Sequence, residues 1–76
     1  MDRIELRKLL SATEHQIAQG EVLLQNQRWR VEHTKREGED TADADEALRS
    51  LLHHQGLQEQ HCAKLKRLLE ESGRPG

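Results

Sequence analysis

Phenylalanine and tyrosine are absent from this 76-residue chain, Trp29 is its one aromatic residue, and it has one proline and one cysteine. Valine and isoleucine are also sparse. These lacks argue against a sheet, whose strands draw on β-branched and aromatic side chains. Apolar runs stop at pairs or triplets such as Val22-Leu23-Leu24, far short of the ~20 residues that cross a bilayer. The opening Met1-Asp2-Arg3-Ile4-Glu5 interleaves charge with single aliphatics, unlike the apolar core of a secretory leader. Cys62 has no partner within the chain, which excludes an internal disulfide and fits a reducing, cytoplasmic compartment. The length sets a ceiling of one domain.

What is present favours helix: Leu, Glu, Gln, Arg, Ala and Lys dominate, and no proline precedes Pro75. The reading is all-α: a helix over 3–36, a turn over 37–40, a second helix over 41–72 and a short flexible tail over 73–76, where Gly73, Pro75 and Gly76 lie. Gly38 can supply the left-handed residue that ends the first helix. Asp40, with Asp43 three residues on, can cap the second in the manner of a capping box, and Asp43, Asp45 and Glu46 suit the positive end of the helix dipole. Thr41 is the competing cap, one residue later.

Periodicity carries the most information. Leu6, Leu10, Thr13, Ile17, Gly20, Leu24, Gln27, Val31 and Thr34 recur at alternating spacings of four and three. Thr41, Ala44, Leu48, Leu51, Gln55, Gln58, Cys62, Leu65, Leu69 and Ser72 do the same in the second half. That is a heptad seam in each segment, the repeat of coiled-coil-like packing. A short connection makes the two helices antiparallel neighbours. Matching unlike seam positions across the turn places Val31 opposite Ala44, Leu24 opposite Leu51, Gly20 opposite Gln55, Ile17 opposite Gln58, Thr13 opposite Cys62, Leu10 opposite Leu65 and Leu6 opposite Leu69. Two apolar zones then flank a polar waist, although other registers satisfy the same spacing. Gly20 and Gly56 fall near one level, either to let the backbones approach or as tolerated helix glycines that each cost ~1 kcal/mol against alanine.

A lone two-helix hairpin leaves half of each seam wet and buries little apolar surface for its length. Leu9 and Leu23 on one helix and Leu52 and Leu68 on the other read as a second apolar stripe beside the seam, the expected dimer contact, as a bundle of more than two helices requires. The expected assembly is a homodimer of hairpins forming a four-helix bundle. Residues 37–46 hold six acids and no base, whereas the open end carries Arg3, Arg7, Lys8, Lys64, Lys66, Arg67 and Arg74 against Asp2, Glu5, Glu70 and Glu71. This polarity suits two hairpins with turns at opposite ends, though capping and solvation of the turn account for the acids equally well.

Chemistry is thinly represented. His54, Gln58, His61 and Cys62 share a helix face, and imidazole with thiolate could hold zinc there. However, no two histidines stand three or four apart and no Glu-x-x-His pair occurs, so the economical reading is surface histidines beside a small buried cysteine. No metal or other cofactor is expected. Ser11, Ser50 and Ser72 sit on regular helix or at its end, without the strained turn that exposes a nucleophile. Asp45-Glu46 and Glu70-Glu71 are sequence neighbours that diverge around a helix, so neither forms a carboxylate dyad. An enzyme is not expected.

Val22 and Trp29 stand one heptad apart on the outward side of the first helix, with Arg28 and Arg30 beside the tryptophan. They can form a contact with an unknown protein partner, since Trp and Arg are favoured anchors; otherwise Trp29 lies along its own helix or at the dimer seam. Nucleic-acid binding calls for a basic face. The net charge of −2 and pI of about 6.2 oppose it, and only Arg28, Arg30, Lys35 and Arg36 make a local basic cluster.

Asp43-Ala44-Asp45-Glu46 after the turn resembles the start of the second helix in Rop-like RNA-binding hairpin dimers, an architectural analogy. His15-x-x-x-x-Gly20-Glu21, Gly38-x-Asp40-Thr41-Ala42, the Leu51-Leu52 pair and His61-x-x-x-Leu65 resemble short uncharacterised helical proteins of proteobacteria. That resemblance implies a bacterial, cytoplasmic helical hairpin and no particular activity. The resulting expectation is a non-enzymatic regulatory or adaptor protein acting through macromolecular contact, with a Rop-like RNA- or DNA-associated regulator as the alternative.

Overall fold

The computed structural model describes residues 2–73, so the expected positions of Arg74, Pro75 and Gly76 lie outside the described residues. Two helices, α1 (Arg3–Arg36) and α2 (Ala42–Ser72), pack side by side as an antiparallel hairpin with principal-axis extents of 62 × 14 × 13 Å. Among the described residues there is no strand, and no helix is long and apolar enough to cross a membrane.

Each helix end has an identifiable cause. Asp2 sits in extended backbone and its Oδ1 accepts from the Ile4 amide at 3.3 Å, which caps α1. At the other end Gly38 adopts φ 74°, the left-handed conformation that glycine enters without steric cost. The Gly38 amide donates to Lys35 O and the Glu39 amide to Thr34 O, both at 3.1 Å, which is the paired bonding of a Schellman termination. His33, Lys35 and Arg36 lie in the last turn, at the negative end of the dipole.

The start of α2 divides the capping role between two residues. Thr41 occupies the cap position, one residue later than the Asp40 reading, and its carbonyl accepts from Asp45 N at 2.8 Å. Its hydroxyl bonds to Asp45 Oδ2 at 2.9 Å instead of to a free amide. Asp40, just outside the helix, fills that gap by accepting from Ala42 N at 3.0 Å. At the far end the last turn of α2 contains no base. The Arg3 guanidinium of α1 lies against Gly73, with Cζ and Nη2 3.5 Å from the place of a Gly73 Cβ. A cation from one helix thus stands at the negative end of the other.

The heptad seam is the buried line of the molecule. In α1 every residue from Leu6 to Thr34 in the four-three series is buried or half-buried; in α2 the same holds from Thr41 to Leu69. Ser72 departs from the series: it is exposed, with its hydroxyl turned back to Leu69 O at 3.1 Å. Asp45 and Gly56 join the half-buried set from just beside the seam. Leu6, Leu24, Leu65 and Cys62 form the apolar core, interrupted by buried Thr13 and Gln55.

The polar residues are satisfied without partners from outside. Thr13 Oγ1 donates to Leu9 O at 2.8 Å, the local bond that lets threonine sit within a helix. Gln27 Nε2 crosses to Ala44 O at 2.9 Å. Gln55, 5% exposed, donates from Nε2 to Ile17 O at 2.7 Å. Its carboxamide fills the space where a Gly20 Cβ would stand, and that Cβ would fall 2.8 Å from Gln55 Cδ. Gly20 is therefore a packing requirement facing Gln55. Gly56 is different, since a Cβ there meets nothing within 4 Å.

The two glycines should consequently respond to alanine with opposite signs. Gly56→Ala is expected to stabilise the fold by about 0.5–1 kcal/mol through helix propensity. Gly20→Ala gains the same propensity but displaces the Gln55 amide from its buried bond, a loss of about 1–3 kcal/mol, so its denaturation midpoint should fall. Midpoints moving in the same direction for both variants would contradict this packing.

Candidate functional surface

No pocket is detected among the described residues, and no three His, Cys, Asp or Glu side chains are grouped to hold a metal ion. Cys62 is buried in the seam and Gln58 half-buried, while His54 and His61 stand exposed on the helix surface. Their shared face turns the sulfur inward and the imidazoles outward. Ser11 and Ser50 are exposed on regular helix.

The surface is instead notable for what it leaves uncovered. Of the seventeen Leu, Ile, Val and Trp side chains, eight are exposed: Ile4, Leu9, Val22, Leu23, Trp29, Leu52, Leu57 and Leu68. Leu9, Leu23, Leu52 and Leu68 are 41%, 54%, 42% and 39% exposed, so the flanking leucines lie outside the hairpin core. They do not form one stripe. Leu9 and Leu23, two heptads apart, share a line along α1. Leu52 and Leu68 are sixteen residues apart on one continuous helix, which turns their side chains about 160° away from each other.

The direction of α2 decides which of these leucines belongs with α1. In an antiparallel pair, residues that precede a seam position on both helices emerge on one broad face, and those that follow emerge on the other. Leu9, Leu23 and Leu68 precede Leu10, Leu24 and Leu69. Leu52 follows Leu51, so it lies on the opposite face, among charged residues. Closeness to the seam alone groups Leu52 with the other three, and the side on which it emerges separates it from them.

Val22 and Trp29 both project from α1, 57% and 62% exposed, and Arg28 and Arg30 are exposed beside them. The indole does not stand free. Trp29 stacks on His33, one turn on, with ring centroids 4.8 Å apart and planes 8° from parallel. His33 Nε2 in turn lies 3.1 Å from Glu37 Oε1. The i, i+4, i+8 spacing of Trp29, His33 and Glu37 is visible in the sequence, but the array was missed because tryptophan and histidine were weighed separately. The aromatic surface is consequently a two-ring plate held to the helix end.

The acids of the turn share their end of the rod with Arg28, Arg30, Lys35 and Arg36 at the end of α1. Charge separation along the hairpin is therefore smaller than the turn acids alone would indicate.

No protein-family model, curated protein or solved structure matches the chain. The resemblance to short proteobacterial hairpin proteins thus rests on the quoted motifs.

With its indole this exposed, Trp29 is expected to fluoresce at the wavelength of a water-exposed tryptophan. Trp29→Ala should change stability by less than about 0.5 kcal/mol. Blue-shifted emission from the isolated protein would mean that another surface already covers the ring.

Proposed function

We propose that this chain is a non-enzymatic helical protein that acts through macromolecular contact. It works as a cytoplasmic homodimer of hairpins, a four-helix bundle that presents a regulatory or adaptor surface to a protein partner. One observation carries this reading: almost half of the large apolar side chains are exposed on a rod too thin to enclose them. Such surface is stabilised when another molecule covers it. A second hairpin supplies helices of matching length and turns each half-wet seam into the interior of a bundle. The Val22–Trp29–His33 surface, with Arg28 and Arg30, remains on the outside of α1 as the contact for the further partner.

The exposed plate of Trp29 and His33 also supports the alternative, a Rop-like RNA- or DNA-associated regulator. Aromatic faces accept unpaired bases, and the surrounding Arg28, Arg30, Lys35 and Arg36 would meet phosphates.

Light scattering at micromolar concentration is expected to give twice the chain mass. A folded particle of single-chain mass would overturn the dimer. A mobility shift with total cellular RNA separates the two functional readings. The protein-partner reading expects no shift at moderate salt, whereas a shift that weakens as salt rises and disappears in Trp29→Ala would favour the nucleic-acid regulator.

A further inference from the structure

The two broad faces of the hairpin differ sharply in charge. Along the middle of one face, the residues that precede the seam are Leu9, Gln16 and Leu23 on α1 and His54, His61 and Leu68 on α2, and Arg30 and Ala47 continue these lines toward the turn. The next residues outward are Ala12, Gln19 and Asn26 with Ser50, Leu57 and Lys64. Lys64 is the one formal charge in this central strip, and it stands in the outer row. The opposite face follows the seam through Arg7, Glu14, Glu21 and Arg28 on α1 and Asp45, Leu52, Glu59 and Lys66 on α2. In a chain with 34% charged residues, a strip of this length with a single formal charge at its edge is the pattern of an interface centre, where charged residues are depleted.

We infer that the charge-poor face is where a second copy of the chain docks, with the two turns at opposite ends of the dimer. This rests on the dimer reading above and adds its face and direction. An isologous interface must complement itself, and this strip does. On α1 it reads Leu9, Gln16, Leu23, symmetric about Gln16. The register in which Gly20 faces Gln55 sets His61 within about half a helical turn of the level of Gln16. A two-fold axis at that level, perpendicular to the rods, lays Leu9 on the partner's Leu23, Leu23 on the partner's Leu9, and Gln16 on the partner's Gln16.

Size and chemistry select the same occupant. Stacked about that axis, the α1 helices overlap over about 26 residues, on the order of 40 Å. Across a hairpin 14 Å wide between Cα extents, that approaches the ~800 Å² a side of a standard interface. A nucleic acid would find Lys64 alone on the strip, with Arg30 at its turn-side end, too few cations for the run of phosphates along a strand. A charged protein surface would lose its hydration against leucine and glutamine without receiving a counter-charge.

Cysteine placed at the axis tests the arrangement directly. Under mild oxidation Gln16→Cys is expected to form a covalent dimer at least about tenfold faster than Glu14→Cys on the charged face, with buried Cys62 silent in both. Faster linkage through Glu14→Cys, or no linkage through Gln16→Cys in a protein that still scatters as a dimer, would overturn the face while leaving the dimer standing. Linkage of Gln16→Cys only to a His61→Cys chain would put the turns at the same end and overturn the direction. Leu23→Lys provides a second readout on a side chain already exposed in the hairpin. It should keep its helical circular dichroism and weaken the dimer on the order of 100-fold, since two copies of the leucine are lost. Leu52→Lys should leave association within a few-fold of the parent. Equal weakening by the two lysines would sink the assignment, and a monomeric parent would sink the dimer itself.

Discussion

The bond from Gln55 to the carbonyl of Ile17, seated in the space left by Gly20, fixes how the two helices meet. Leucine seams slide easily, because one leucine replaces another when a helix shifts by a heptad. A buried carboxamide does not, since each shifted position would leave its polar atoms without partners. The glycine and the glutamine are thus one device, in which a missing side chain on one rod admits an oversized polar one from the other. Which residues share a level, including those beside the seam, follows from this contact, and the Gln27 bond to Ala44 O holds the same register nearer the turn.

With the register set, the ends of the hairpin fall where they can assist each other. Arg3 reaches Gly73 and stands at the negative end of a helix that has no base of its own there. The Schellman bonds at Gly38 and the divided cap of Asp40 and Thr41 close the other end in few residues. The faces are specialised as well. Along the middle of the rod charge concentrates on one side of the seam and leucine, glutamine and histidine on the other, so the rod is amphipathic twice, once within the hairpin and once across it.

Much of this was legible in the residues. The seam was readable because burial enforces one period over the whole length, and ten positions of a repeat constrain a face far better than any single side chain. Gly38 was readable because few residues adopt its conformation. Gly20 and Gly56 could not be told apart, since the difference between them is a neighbour 35 residues away in the case of Gly20 and open space in the case of Gly56. The helix start was off by one because Asp40 and Thr41 both carry capping oxygens and only the backbone decides which serves. The Arg3 contact needed the register before it could be imagined. Leu52 was assigned to the wrong side although the helical angle was available. The functional surface was the least legible, because it depends on no cluster of reactive groups and is marked mainly by where charge is missing.

The closed turn has a consequence for how the chain assembles. Residues facing each other lie close together in sequence beside Gly38 and progressively farther apart toward the opposite end, so the hairpin is a zipper whose first teeth engage at the smallest loop entropy. Unzipping begins at the other extremity, where Leu6 and Leu65 are the outermost buried leucines and the loop between facing residues is longest. Amide exchange should therefore run as a gradient along the rod, slow beside the bend and fast at its mouth.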